Sequence, residues 1–391
     1  MEVTPAPQER VLARIRERSR EIPRLFFAPG RANLLGAHMD YNGGQVMPVA
    51  LSKGTYAAVA PRTDGLLRLA SEQFPDQAIE LPVDALAPRR TDGWSAYAEG
   101  ALWTCRRAWG ELPGLDIELA ADLPMAKGLS SSASVECVTV AAVAALLGRE
   151  PDVEQHIHLA HAAETEYVGV RCGILDQTAI FLGRPDTVLL FDCLELTREH
   201  LPLDGDRAEV AIMDSGTARE LASSAFNRRV AECTRALSVL QERIPWLTCL
   251  RDVTRAALDE HGGLLEPMLR SRVEHVVGEV ERTERGAAAL RAGDVAGFGA
   301  QMSGAHASLR DNYDVSTAEL DAMIEAAITV PGCYGARLTG AGFGGCVAAL
   351  VDPAAREDFE QRVVGGYRER TGLDTEVQWF RPAGGPRELG A

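Results

Sequence analysis

The residues Pro124 to Ser134 read PMAKGLSSSAS, a glycine- and serine-rich turn that feeds into a long apolar run. Free N–H groups and the positive dipole end at a helix N-terminus bind phosphate oxygens, and a glycine such as Gly128 lets backbone approach a ligand closely. Serine hydroxyls at that point can also reach a Mg²⁺ carried by nucleotide phosphates. The plainer reading is a helix N-cap ahead of a core helix. The stretch is not the usual P-loop, since GxxxxGK[ST] occurs nowhere in the chain.

Three further stretches carry reactive or close-approach residue types. Thr339 to Gly345 reads TGAGFGG and formally contains GxGxxG at Gly340, Gly342 and Gly345, with Gly344 a further glycine inside it. The dinucleotide reading fails because an apolar strand pattern, Cys346 to Val351, follows where a helix is required. A glycine-rich turn between strands is expected instead, either a simple hairpin turn or one that comes close to a ligand. Pro29 to Gly44 reads PGRANLLGAHMDYNGG and sets Arg31, His38 and Asp40 among glycines between apolar strands; a polar turn with a structural histidine is the alternative. Glu164 and the run Cys172 to Gln177, CGILDQ, place Asp176 after two apolar residues. A carboxylate buried there needs a compensating partner, unless it serves only as an N-cap.

The elements that must hold these residues follow from apolar periodicity and turn residues. Residues 6–20 read as an exposed charged helix. Leu25 to Leu35 reads as a strand interrupted at Pro29-Gly30, and Val46 to Leu51 as another. Thr55–Ala60 and Leu66–Ala70 read as a hairpin around Asp64-Gly65. A helix at 95–108, a strand at Leu115–Ala120, a buried helix at Ser131–Leu147, an amphipathic helix at Val153–Val168 and a short strand at Thr187–Cys193 complete a first half. From about residue 206 the pattern restarts: a strand at Val210–Asp214, a basic helix at Arg219–Gln241, and several helices between 252 and 328. Strands at Ala336–Thr339 and Cys346–Val351, a helix at Ala354–Arg370 and a strand at Glu376–Arg381 follow, with a frayed tail from Pro382. Two domains, 1–205 and 206–391, are expected.

With 391 residues, 46% of them hydrophobic, the chain can build two cores. A net charge of −16 disfavours nucleic acid and anionic membrane as partners. The eight cysteines form no CxxC pair, which argues against a zinc site or a disulfide framework. No apolar run reaches membrane-spanning length, and a cytoplasmic location is expected.

Together, in this order and spacing, the stretches resemble the three signature motifs of the GHMP small-molecule kinases, and specifically the galactokinase branch, from about Phe26 to Val351. The resemblance extends to Ala305–Asp311 and Asn227–Cys233. It implies an α+β fold with an N-terminal ribosomal-S5-domain-2-like domain, a C-terminal ferredoxin-like domain and an active site in the cleft between them. It implies ATP and a small sugar as substrates, Mg²⁺ as cofactor and no obligatory protein partner. By the same resemblance Asp176 is the candidate general base beside the sugar C1 hydroxyl, and Arg31 neutralises charge near Asp176 and the transferring phosphoryl group. Ser132 and Glu164 match the magnesium ligands. Gly128, Leu129, Ser130 and Ser131, with Ala133 behind them, wrap the nucleotide phosphates; Lys127 either adds a phosphate contact or is solvated. Asp40, with His38 beside it, faces the sugar ring hydroxyls, and Gly173 offers a backbone contact.

Two departures bear on the substrate. Galactokinases carry glutamate before the histidine of the first motif, accepting a hydrogen bond from the sugar 6-hydroxyl; here that position is Ala37. Alanine removes a charge that would repel a C6 carboxylate, and LGAH is a feature of plant-type galacturonokinases, as are Arg171 and Ser215-Gly216. The expectation is therefore D-galacturonic acid as the phosphate acceptor, with Arg171 a carboxylate partner, and D-galactose as the alternative. The second departure is Phe226, where the family places a tyrosine that reaches the sugar. A relative of another class, a catalytically silent sugar sensor, is disfavoured by the intact Ser130-Ser131-Ser132-Ala133, Arg31 and Asp176.

Overall fold

The structure, a computed structural model, describes residues 5–88, 93–124, 128–170, 172–217 and 222–390. The expected Lys127 and Arg171 contacts lie outside the described residues. The chain forms two compact units: one of residues 1–31, 50–183 and 384–391, the other of residues 32–49 and 184–383. The strand Arg24–Leu35 leaves the first unit after Arg31, and the strand Gln45–Arg62 re-enters it at Ala50.

The first unit is built on a sheet with spatial order Arg387–Leu389, Arg24–Leu35, Gln45–Arg62, Gly114–Ala121, Leu66–Ser71 and Ile79–Pro82. Its strands alternate faces with period two. Phe26, Ala28, Ala57, Val59, Ile117 and Leu119 join the main core, which is closed by the helices Ser95–Trp109 and Ser131–Leu146. Leu25, Ala58, Ala60 and Ala120 point the other way, onto Val11 and Ile15 of the helix Pro7–Arg16. The N-terminal helix is thus exposed on one side only. The Ser131–Leu146 helix is apolar on nearly every face because it is buried on nearly every face, as Ala133, Cys137, Val140 and Val143 show.

Three expectations about strands and the tail are corrected in this unit. Pro29-Gly30 does not interrupt its strand, which runs unbroken from Arg24 to Leu35. The expected hairpin of Thr55–Ala60 with Leu66–Ala70 does not form. Gly114–Ala121 lies between them, antiparallel to one and parallel to the other. The turn is there, with Asp64 accepting from the Leu66 N–H at 3.2 Å, but Arg62 also reaches across to Asp116 of the inserted strand at 2.8 Å. A local turn signal does not say which strand pairs with which. The C-terminal tail is not frayed: Leu389, Glu388 and Arg387 pair antiparallel with Leu25, Phe26 and Phe27. Arg24 holds Glu388 through two hydrogen bonds, and the Arg387 guanidinium lies over the Phe27 ring at 4.7 Å.

The second unit contains a four-stranded antiparallel sheet in the order Val377–Phe380, Glu209–Asp214, Cys346–Val351 and Cys333–Thr339. The helices Pro267–Arg291, Val295–Asp311, Ala318–Ile328 and Arg356–Thr371 pack around it. The glycine-rich stretch is the turn of the last hairpin, with Thr339 opposite Cys346. Gly340, Gly342 and Gly344 have positive φ, where a Cβ is strained, and Phe343 carries that strain at φ 59°. Among the described residues no helix is long and apolar enough to cross a membrane.

Candidate active site

In the first unit the phosphate-type turn, Arg31 and Asp176 converge. Gly30 is the reason the strand can approach: a Cβ there would lie 2.8 Å from the Leu129 carbonyl. The backbone N–H of Arg31 donates to that same carbonyl at 3.1 Å, and its Nη1 donates to the Gly128 carbonyl at 2.6 Å. The remaining guanidinium edge meets Asp176: Nε at 2.8 Å and Nη2 at 2.6 Å, both on Oδ1. Ser130 donates its hydroxyl to Oδ2 at 2.5 Å. Asp176 thus has the compensating partner its apolar neighbours require, and a quarter of its side chain remains exposed.

Ser130 explains how the turn is built. It stands at the N-cap of Ser131–Leu146 with φ 57° and ψ 51°, a left-handed conformation uncommon for a residue with a Cβ. Its hydroxyl caps no backbone group of that helix and turns to Asp176 instead. The first-turn N–H groups therefore receive no cap side chain and keep their donors. Three residues into the helix, Ser134 bonds the Ala28 carbonyl and Thr55 Oγ1, both at 2.9 Å, and so ties the helix start to two strands. Ala133 packs fully buried beneath it.

Glu164 enters from another element. The helix Val153–Ala162 widens to a π-turn over Ala163–Val168, correcting the single amphipathic helix expected there. Such turns recur at functional sites. Glu164 Oε1 lies 3.4 Å from Ser132 Oγ, while Oε2 accepts from Gln177 Nε2 at 2.7 Å. The same nitrogen donates to Glu136 Oε2 at 2.8 Å. Burial, and then the negative charge of Asp176, raises the Glu164 carboxyl above its ordinary range. Burial and the charge of Glu164 push Glu136 well above it. Glu136 was not singled out from sequence; the signal was a lone carboxylate in an otherwise apolar helix. Gly173 is exposed ahead of the helix Leu175–Phe181 that carries Asp176.

Ala37, His38, Asp40, Phe226 and the glycine turn belong to the second unit. Gly36 has φ +79°, and a Cβ on it would lie 2.2 Å from the Gln45 carbonyl, so the chain turns there only because the residue is glycine. The fully buried Glu279 accepts the N–H groups of Gly36 and Ala37 on one oxygen, at 3.0 and 3.1 Å, and Arg282 on the other at 2.5 Å. His275 bonds the Ala37 carbonyl at 3.2 Å and Ser308 at 3.0 Å. The turn is gripped by one face of the Pro267–Arg291 helix, a grip that no motif signalled. His38 Nδ1 meets Tyr41 Oη at 3.0 Å, Tyr41 meets Tyr313 at 2.8 Å, and Tyr313 meets Cys233 Sγ at 3.1 Å. Burial, then the nearby charges of His275 and Arg337, holds His38 well below its usual value. Phe226 packs against the rings of His38 and Tyr41, with centroids 5.9 and 5.4 Å away. Asp40 opens the short 3₁₀ turn Asp40–Asn42 and is partly exposed.

Known protein families match this chain. The galactokinase galactose-binding signature matches residues 16–61, the GHMP kinases N terminal domain residues 96–184, and the GHMP kinases C terminal domain residues 287–368. The chain is 42% identical to a galactokinase of Roseiflexus sp. over 92% of its own length and 91% of that protein. The chain belongs to the galactokinase family of the GHMP kinases. A Bacillus subtilis galactokinase is 37% identical over 94% of each chain. The crystal structure of Lactococcus lactis galactokinase complexed with galactose matches with a TM-score of 0.91 at 34% identity, over 98% of both chains. The fold is accordingly the α+β fold of the GHMP kinases, and this galactokinase-family enzyme is a sugar 1-kinase.

Proposed function

We propose that this enzyme transfers the γ-phosphoryl group of ATP to the C1 hydroxyl of D-galactose. The observation that carries the reading is the triad of Arg31, Ser130 and Asp176, with a carboxylate held at both oxygens beside an uncapped helix N-terminus. Oδ1 of Asp176 accepts twice from Arg31, while Oδ2 accepts once from Ser130 and keeps a lone pair. That lone pair orients the acceptor hydroxyl and takes its proton as the new O–P bond forms and the bond to ADP breaks. Arg31 supplies fixed positive charge beside the transferring group, and the first turn of Ser131–Leu146 supplies N–H donors to the phosphates. Positioning and charge neutralisation do most of the work in such transfers.

Ser132 and Glu164 fit a Mg²⁺ ion: a hydroxyl and a carboxylate oxygen 3.4 Å apart are hard donors, and one or two protein ligands suffice when phosphates and waters complete the shell. Bound there, the metal would neutralise charge on the nucleotide phosphates. Lys127, as a phosphate contact, and Asp40, His38 and Gly173, as sugar contacts, are proposed on the family resemblance. So is the assignment of sugar and phosphate binding to residues 1–205 and of the C-terminal GHMP domain to 206–391.

Galactose is preferred over the galacturonic acid expected from Ala37. Relatives at 37–42% identity over nearly the whole chain are named galactokinase, and the matched Lactococcus lactis structure is described as complexed with galactose. Ala37 is only 3% exposed, and the charged group its peptide N–H meets is the carboxylate of Glu279, which would not attract a second carboxylate. The test is ADP release with Mg-ATP and either sugar at equal concentration. Faster turnover of galactose is expected; a clear preference for galacturonic acid would overturn the substrate assignment, and turnover of neither would overturn the kinase reading.

A further inference from the structure

Beside hydrogen bonds with Ser132 and Cys172, Glu164 is held by a group that neither binds substrate nor belongs to the triad. The Gln177 carboxamide nitrogen has two N–H donors and spends one on each of two carboxylates, Glu136 Oε2 at 2.8 Å and Glu164 Oε2 at 2.7 Å. With carboxylates on both sides, the nitrogen end of the amide is the one that satisfies them. Glu136 and Gln177 are fully buried, and Glu164 is 8% exposed. Among the described residues Glu136 Oε1 and Gln177 Oε1 have no hydrogen-bond partner, and the two carboxylates are the groups that orient this carboxamide.

The placement joins three elements. Glu136 lies four residues after Ser132 on Ser131–Leu146, hence on the same face one turn deeper. Glu164 belongs to the π-turn, and Gln177 directly follows Asp176 on Leu175–Phe181. One amide therefore ties the helix that carries Ser132 to the turn that carries Glu164 and to the helix that carries Asp176. By holding Oε2, it leaves Oε1 of Glu164 on the side of Ser132, 3.4 Å away.

We propose that Gln177, anchored by Glu136, is a positioning residue that fixes Glu164 with one oxygen presented to a divalent cation shared with Ser132. The inference rests on the reading of Ser132 and Glu164 as cation ligands. Partners that orient a metal ligand are commonly worth about 10- to 100-fold in metal affinity.

The experiment is titration of Mn²⁺ into the full-length enzyme with a non-hydrolysable ATP analogue, free Mn²⁺ being read by electron paramagnetic resonance and folding by thermal midpoint. Gln177→Met, which keeps the bulk but loses the donors, is expected to weaken Mn²⁺ binding about 10- to 100-fold. Glu136→Met is expected to act in the same direction. Glu136→Gln retains an acceptor oxygen and is expected to stay within about threefold of the parent, a rescue that mere space-filling does not predict. Glu164→Ala separates the two layers. If it loses Mn²⁺ affinity while Gln177→Met stays within about twofold of the parent, the positioning role is wrong and the ligand reading stands. If Glu164→Ala leaves affinity unchanged, the ligand reading fails and takes the inference with it. Should Gln177→Met not fold, Gln177→Asn, one methylene too short to reach both carboxylates, carries the same two outcomes.

Discussion

Arg31 and Asp176, 145 positions apart in sequence, meet through two guanidinium nitrogens on a single carboxylate oxygen, at 2.8 and 2.6 Å. That geometry leaves the other oxygen to Ser130 and the third guanidinium nitrogen to the Gly128 carbonyl. A lysine ammonium is a point charge and cannot span both partners. Arg31→Lys is expected to lower kcat by about 10²- to 10³-fold with a much smaller change in sugar KM. Steady-state kinetics at saturating ATP checks the split; a raised sugar KM with kcat unchanged would assign Arg31 to ground-state binding instead.

Ser130 combines a left-handed backbone with a hydroxyl on Asp176, and two substitutions separate those roles. Ser130→Gly tolerates the backbone and loses only the hydroxyl, so kcat is expected to fall roughly 10-fold with the thermal midpoint nearly unchanged. Ser130→Ala loses the hydroxyl and keeps the Cβ that strains this backbone, so it is expected to melt lower than the glycine variant. The reverse order of midpoints would contradict the strained-turn account.

His275 is completely buried and its pKa is depressed to about 4, chiefly by burial. Between that value and the ordinary 6.5 the unfolded chain binds the extra proton. The stabilisation is therefore complete above 6.5 and is lost as pH falls towards 4. By pH 5 the loss from this group amounts to about 2 kcal/mol. Glu136 and Glu164, raised by burial, act in the opposite sense, so the informative quantity is a difference. Urea unfolding at pH 7 and pH 5 is expected to show a shallower loss of stability in His275→Gln than in the parent. Equal losses would mean that His275 accepts a proton without disturbing the grip on Ala37.

Phe226 packs on His38 and Tyr41, in the position where the family places a tyrosine. Restoring one hydroxyl adds at most one hydrogen bond, a net of about 1 kcal/mol. Phe226→Tyr is expected to lower the galactose KM by roughly twofold to tenfold while leaving ATP KM alone. An unchanged galactose KM would place this ring outside sugar recognition.

Much of the site was legible because the motifs are local. PGRANLLGAHMD, GLSSSAS and CGILDQ each lie within one turn-forming stretch, and glycines mark where the backbone must bend or approach. What was not legible depends on distant pairing. Nothing near Asp64-Gly65 announces that Gly114–Ala121 will insert between the strands it joins, and nothing near Pro382 announces a partner in Leu25–Phe27. The grip of Glu279 and His275 on Ala37 spans more than 230 positions. Glu136 was hidden for a related reason: its helix reads as pure core, and only the arrival of Gln177 gives its carboxylate a purpose. The galacturonic acid expectation rests on Ala37 together with Arg171 and Ser215-Gly216, and the structure leaves Ala37 only 3% exposed.

The most direct test of the account is the turnover of Asp176→Asn measured beside its galactose affinity. The amide keeps the size of the carboxylate but cannot accept the hydroxyl proton. The account predicts a fall in kcat of at least about 10²-fold, with the galactose dissociation constant within a few-fold of the parent. A variant that turns over at near-parental kcat would contradict the assignment of Asp176 as the group that activates the acceptor.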